Sequence, residues 1–215
     1  MYPITVSLGL LGLEWVPRFV KMMLPVPKAT TTIFPGNIVR LTVPIPTNPI
    51  SNLLWRKWSP GAHVRLTIPS IGKLQPHPFT IASLPSDGNM RLYIRCKEGL
   101  SRRLYEKAAA SVIAKKQLHL SVHLEGIYGA KHHSFTNFDV VLLIASGVGI
   151  TFTIPILQDL VQKAKILQQG NCRCRRIGFV WVVKHRGSSH PHKEQRILIS
   201  SGIKLVLEGV IRHYG

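Results

Sequence analysis

Three short segments gather residue types that do chemistry together. In His77-Pro78-Phe79-Thr80-Ile81-Ala82-Ser83, Pro78 fixes the backbone, Phe79 offers a flat ring face, and Thr80 and Ser83 add hydroxyls. Such groups suit a planar heteroaromatic with polar edges, although an ordinary edge strand is the plainer reading of this segment alone. In Tyr93-Ile94-Arg95-Cys96-Lys97-Glu98-Gly99-Leu100-Ser101-Arg102-Arg103, glycine, hydroxyl and two arginines meet at an expected helix start. That combination suits a diphosphate, because helix starts present unpaired N–H groups and the arginine fork matches phosphate oxygens.

The third segment is Leu142 to Pro155, LLIASGVGITFTIP. An apolar run enters Gly147-Val148-Gly149 and leaves directly as a helix. Glycines there let the backbone approach a phosphate at the positive end of the helix dipole. A G-x-G alone matches many ordinary turns, and this is not the full G-x-G-x-x-G fingerprint. Its strand and helix context is what singles it out.

Other reactive side chains read as surface residues. His119 and His123 are four apart, but Gln117 to Leu124 alternates like a strand, which gives them one face without bringing them close. His132-His133 and His190-Pro191-His192 fall in polar loops, so no metal site is expected. Cys172-Arg173-Cys174 lies beside Arg175 and Arg176, where a thiol pair is prone to oxidation. A structural zinc site wants four ligands and has too few here. No catalytic triad is readable, and no catalytic residue is assigned.

The elements that must hold these segments follow from composition and rhythm. The chain has 215 residues, with 28 Lys plus Arg against 9 Asp plus Glu, a formal charge of +19. That surplus calls for an anionic counterpart: nucleic acid, an acidic membrane face or a phosphate-bearing cofactor. Hydrophobic content of 45% excludes general disorder. Three cysteines are too few for a disulfide scaffold and point to a reducing compartment. No apolar stretch reaches the roughly 18–20 residues of a membrane-spanning helix. Residues 1–28 join Leu8, Leu10, Leu11, Trp15 and Phe19 to Arg18 and Lys21, which suits a helix lying on an anionic surface. Sedimentation with anionic liposomes should then pellet the full chain and leave a chain without residues 1–28 in solution; equal pelleting discards the anchor.

From Thr30 the chain turns to short β-type runs between turn residues: Thr30 to Phe34, Asn37 to Val43, His63 to Ile68, Phe79 to Ala82, Met90 to Cys96 and Gln117 to Leu124. Six such strands imply a small antiparallel barrel, with one helix over Ser101 to Lys115. After Gly129 the pattern becomes strand (Asp139 to Ala145, buried on both faces), helix (Ile150 to Gln168), strand (Arg176 to Lys184), weak helix (Lys193 to Ser200) and strand (Ile203 to Val210). Strand and helix in alternation predict a parallel sheet. The fold class is therefore a six-stranded antiparallel β-barrel plus an incomplete α/β parallel-sheet domain.

Six segments in order carry a specific resemblance: WSPGAHVRLTIP (Trp58 to Pro69), HPFTIAS, YIRCKEGLSRRLYEKA (Tyr93 to Ala108), LEGIYG (Leu124 to Gly129), LLIASGVGITFTIPILQDLV (Leu142 to Val161) and FVWVVK (Phe179 to Lys184). Together they resemble the flavin and NADPH half of ferric-chelate reductases of the fungal type, relatives of the NADPH oxidases within the ferredoxin–NADP reductase superfamily. The resemblance implies a juxtamembrane segment over 1–28, an FAD-binding barrel over 29–133 and a partial NADPH-binding domain over 134–215. It implies that His77, Pro78, Phe79 and Thr80 hold the isoalloxazine and ribityl region of FAD, with Tyr93, Ile94 and Arg95 on the strand beside it. Gly99, Ser101 and Arg102 match the diphosphate turn, and Gly147, Gly149, Ile150 and Thr151 the turn for the NADPH phosphates. It implies that NADPH passes electrons to FAD at the cytoplasmic face of the plasma membrane, and FAD passes them through heme in a membrane domain to ferric chelates outside. No nucleic acid is expected as a partner; a basic nucleic-acid binder and a catalytically silent FAD-binding remnant are the competing classes.

The chain departs from the family pattern in four places. Ile127 stands where the family has proline, and Ser146 where it has a first glycine of a pair. The Cys-Gly-Pro segment beside the nicotinamide has no counterpart, and three strands are accounted for where a sheet has about five. On this reading the chain is truncated, and binds FAD better than it turns over NADPH.

Overall fold

The computed structural model describes residues 28–45, 58–72, 75–129, 134–166, 173–184 and 194–201. In chain order the strands are β1 (Ala29–Phe34), β2 (Ile38–Pro44), β3 (His63–Thr67), β4 (His77–Thr80), β5 (Asn89–Arg95), β6 (His119–Leu120), β7 (His123–Tyr128), β8 (Val140–Ser146), β9 (Arg176–Lys184) and β10 (Glu194–Ser201). The helices are α1 (Leu100–Ile113) and α2 (Ile150–Ile166). The described residues group into two compact units, one of 28–45, 63–72, 75–79 and 94–128, the other of 58–62, 80–93, 129, 134–166, 173–184 and 194–201.

The first seven strands form two sheets, ordered β5–β2–β1–β6 and β4–β3–β7. β1 runs antiparallel to both β2 and β6, and β3 antiparallel to β7. Alternation explains the burial: Val39, Leu41 and Val43 on β2, Val64 and Leu66 on β3, and Met90, Leu92 and Ile94 on β5 are all buried, every second residue. Each such side chain contributes about 1.5–3 kcal/mol when fully buried. On α1 the buried positions are Leu100, Leu104 and Ala108, one stripe at four-residue spacing.

Two of the expected strands are redrawn. Gln117 to Leu124 is not one strand: its first half, β6, pairs with β1, and its second half, β7, pairs with β3 in the other sheet. The chain changes sheets at Ser121-Val122, a corner that a run of alternating residues cannot reveal. His119 and His123 therefore sit on different sheets. The strand placed at Phe79 to Ala82 begins and ends two residues earlier, as β4, an edge strand of its sheet, where Pro78 with its missing N–H is tolerated.

The last three strands form one sheet in the order β10–β9–β8. β8 and β9 are parallel, with Ala145 beside Trp181, whereas β10 is antiparallel to β9. Val141, Leu143, Ile177 and Phe179 from the strands meet Ile156 and Leu160 of α2 in one apolar cluster. Two expectations change here. Lys193 to Ser200 was expected as a helix, but Glu194–Ser201 is a strand, making the sheet mixed; an eight-residue register with β9 outweighs weak local preference. The β8 run was expected to be buried on both faces, yet its burial alternates, and Leu142 and Ile144 are 60% and 64% exposed. The strand expected at Ile203 to Val210, the leader at 1–27, and Cys172, His132, His133, His190 and His192 lie outside the described residues.

Candidate functional site

His77, Phe79 and Thr80 on β4 are half-buried, and Pro78 is exposed. Beyond the strand, the segment is fixed by backbone bonds: Ile81 N–H donates to Ala62 O at 2.9 Å and Ala82 N–H to Arg91 O at 2.8 Å. Ser83 is fully buried, and its Oγ accepts from Arg91 N–H at 3.1 Å. These bonds hold the end of His77 to Ser83 against β5. Trp58, also buried, donates its indole Nε1–H to Ser83 O at 2.9 Å. A buried tryptophan must place its one N–H, and here the acceptor is the last carbonyl of the candidate segment.

On β5 the three expected residues divide by face. Tyr93 is half-buried and Arg95 exposed on one side, while Ile94 points into the core at 1% exposure. Ile94 therefore offers a ligand only its backbone. Arg91 shares the face of Tyr93 and Arg95 and pairs with Asp87 at 3.5 Å.

Gly99 caps α1 with φ 62° and ψ −126°. Ser101 Oγ accepts from Lys97 N–H at 3.0 Å and donates to Glu98 O at 3.0 Å. The Ser101 hydroxyl is thus committed to shaping the turn. Arg102 Nε meets Glu106 Oε1 at 3.0 Å, with both side chains more than half exposed. An exposed pair four residues apart on a helix is worth only about 0.3–0.5 kcal/mol, so the guanidinium is readily transferred to a stronger anion.

The third group forms one continuous strand-to-helix turn. β8 ends at Ser146, Gly147–Gly149 make a single 3-10 turn, and α2 starts at Ile150. Gly147 has φ +52°, in the left-handed region that favours glycine. A Cβ added at Gly147 or at Gly149 would meet no atom within 4 Å, so the turn faces open space. Thr151 Oγ1 donates to Val148 O at 2.9 Å, and Trp181 of β9 donates its indole N–H to Gly147 O at 2.9 Å. Space at two glycines beside a helix start fits an incoming phosphate.

Sequence reasoning named the turns but missed the two tryptophans that brace them. The available signal was chemical: each carries a donor that burial obliges to find a partner, although only Trp181 sits in an apolar run while Trp58 is flanked by Lys57 and Ser59. Among the described residues no group of three or more His, Cys, Asp or Glu is placed to hold a metal ion, and no helix is long and apolar enough to cross a membrane.

Two family models match this chain. The family model for an FAD-binding domain matches residues 23–132, and that for a ferric reductase NAD binding domain matches 138–194. Dual oxidase 2 of Rattus norvegicus is 31% identical over 60% of this chain and 8% of its own length. Ferric/cupric reductase transmembrane component 2 of Schizosaccharomyces pombe is 28% identical over 58% of this chain and 28% of its own. The chain thus spans well under a third of either relative. Among solved structures, a ferredoxin-NADP+ reductase from Plasmodium falciparum in complex with 2'P-AMP superposes with a TM-score of 0.50 at 15% identity, covering 75% of this chain and 64% of that one. At that identity the likeness shows the fold.

Proposed function

This chain belongs to the FAD-binding domain family, joined to a ferric reductase NAD binding domain, and on that premise we propose that it is the electron-input module of a ferric-reductase-type oxidoreductase. Its electrons come from NADPH, pass through FAD, and leave through heme in a membrane part toward a ferric chelate. The observation that carries this reading is the pairing of two differently built turns in one chain: an arginine-bearing helix start at Gly99–Arg102 and an open glycine turn at Gly147–Thr151. The chemistry supplied by the bound cofactors is the conversion of a hydride donor into single-electron delivery.

The residues of this chain do the holding. Phe79 offers a ring and Thr80 a hydroxyl from β4, and neither is sealed in the core. Tyr93 and Arg95 line the same face of β5, and Ile94 turns its side chain into the core between them. Arg102 exchanges Glu106 for a diphosphate, while Ser101 keeps the turn in shape. Gly147 and Gly149 leave room for the dinucleotide phosphates at the start of α2, where unpaired N–H groups and the helix dipole favour negative charge. The formal charge of +19 serves these phosphates and the anionic cytoplasmic leaflet beside which such a module works.

Purification of the chain in the presence of FAD tests the proposal. The expected result is a retained flavin spectrum, with retention weakened about tenfold in Thr80→Ala and in Arg102→Ala through loss of a buried or charge-assisted hydrogen bond. A chain that keeps no flavin overturns the function. Unchanged affinity in both variants overturns the residue assignment.

A further inference from the structure

The indole of Trp181 sits where it controls more than packing. Trp181 is the third residue of a row, with Ile177 and Phe179, that faces α2 from β9, and its ring lies against the apolar cluster. It stands beside Ala145 in the parallel register, two residues before the glycine turn on the neighbouring strand. That is the carboxyl end of the sheet, where open α/β folds place their ligands. From there its Nε1–H reaches Gly147 O at 2.9 Å.

A bond to one carbonyl orients a whole peptide plane. In a trans peptide the C=O of one residue and the N–H of the next point in opposite directions and turn together. Holding the Gly147 carbonyl toward β9 therefore aims the Val148 N–H away from the sheet, outward from the turn. Gly147 needs such an anchor, because at φ +52° glycine has many other backbone states available. Thr151 Oγ1 fixes the following carbonyl, that of Val148, at 2.9 Å. The two side chains together pin successive peptide planes of the turn.

We infer that Trp181 is a positioning residue for dinucleotide recognition: its indole N–H, through the Gly147 carbonyl, presets the Val148 amide as a donor to a dinucleotide phosphate. The inference rests on the function proposed above and adds to it a residue that need not touch the ligand. Its consequence is specific to one cofactor. Loss of the indole donor affects NADP+ and leaves the FAD segments, of which Trp58 separately braces His77 to Ser83, as they are.

The test uses the full FAD-loaded chain, with NADP+ titrated by calorimetry. Trp181→Phe keeps a ring and deletes the donor. Its NADP+ dissociation constant should rise about tenfold, one hydrogen bond lost, with FAD retention unchanged. In 15N-labelled protein, NADP+ should shift the Val148 amide and the Trp181 indole resonances of the wild-type chain, and the Val148 response should largely vanish in Trp181→Phe. Equal NADP+ affinity in the two proteins overturns the inference, as does a parallel loss of FAD, which marks a general packing role. Should the variant not fold, a wild-type indole resonance that ignores NADP+ overturns it without any substitution. A wild-type chain that holds FAD but binds no NADP+ overturns both this inference and the NADPH half of the proposed function.

Discussion

Gly147→Val should abolish measurable NADP+ binding, a loss of at least about a hundredfold, while the flavin stays bound. The backbone at Gly147 has φ +52°, where an L-residue costs roughly 1–2 kcal/mol and a β-branched one more. No neighbouring atom lies within 4 Å of the added Cβ, so the protein itself does not clash with it. The penalty instead takes two forms. The turn relaxes to a negative φ and swings its carbonyl off the Trp181 indole, and the new side chain fills the space left for a phosphate. Gly149 separates these contributions, since its Cβ also meets nothing but its φ is not in the left-handed region. Gly149→Ala should therefore weaken NADP+ by steric occupation alone, and by clearly less than Gly147→Val. Calorimetric titration of both variants beside the flavin absorbance checks the ordering. Full NADP+ affinity in Gly147→Val would remove this turn from the dinucleotide site.

The turns were legible in the sequence because glycine, hydroxyl and apolar-run boundaries are local signals. Gly147-Val148-Gly149 needed only its flanking strand and helix, and both are present at β8 and α2. What failed was information that resides in partners. Nothing within Gln117 to Leu124 says that its halves pair with strands in separate sheets. Nothing within Glu194–Ser201 says that β9 offers it eight paired positions, and a short apolar core of Ile197, Leu198 and Ile199 fits helix or strand equally. The apolar run of β8 looked doubly buried because Val140, Leu142 and Ile144 are as hydrophobic as the residues beneath α2, although they are the exposed set. Side-chain roles divided similarly. Ile94 could be placed on the right strand but not on its inward face, and Ser101 could be placed at the right turn without revealing that its hydroxyl is spent on Lys97 and Glu98. The bracing tryptophans were invisible for the same reason, since a hydrogen bond across 25 or 34 residues leaves no local trace.

Gly61→Val should destabilise the protein by about 2–4 kcal/mol, through overpacking and backbone strain acting together. The glycine has φ +86°, and a Cβ there would stand 2.7 Å from Cε2 of the Phe152 ring on the first turn of α2. Phe152 is 45% exposed, so its ring can yield in part, but the strain at φ +86° has no such outlet. The two contributions are separable by a double-mutant cycle in urea. Phe152→Ala alone should cost little, and in combination with Gly61→Val it should recover about 1–2 kcal/mol, leaving the backbone share. Strictly additive changes would show that Phe152 is not what the valine meets. The position matters for function because Ala62, the next residue, accepts the Ile81 N–H at 2.9 Å. A wedge at Gly61 moves that carbonyl, and with it the residue adjoining Thr80. FAD retention should fall in Gly61→Val by more than stability alone predicts and return when Phe152 is also truncated. Gly61 thereby links the first turns of α2, which follow the dinucleotide turn, to the segment proposed to hold the flavin. A side chain there would disturb both at once, which is the physical reason for glycine between Pro60 and Ala62.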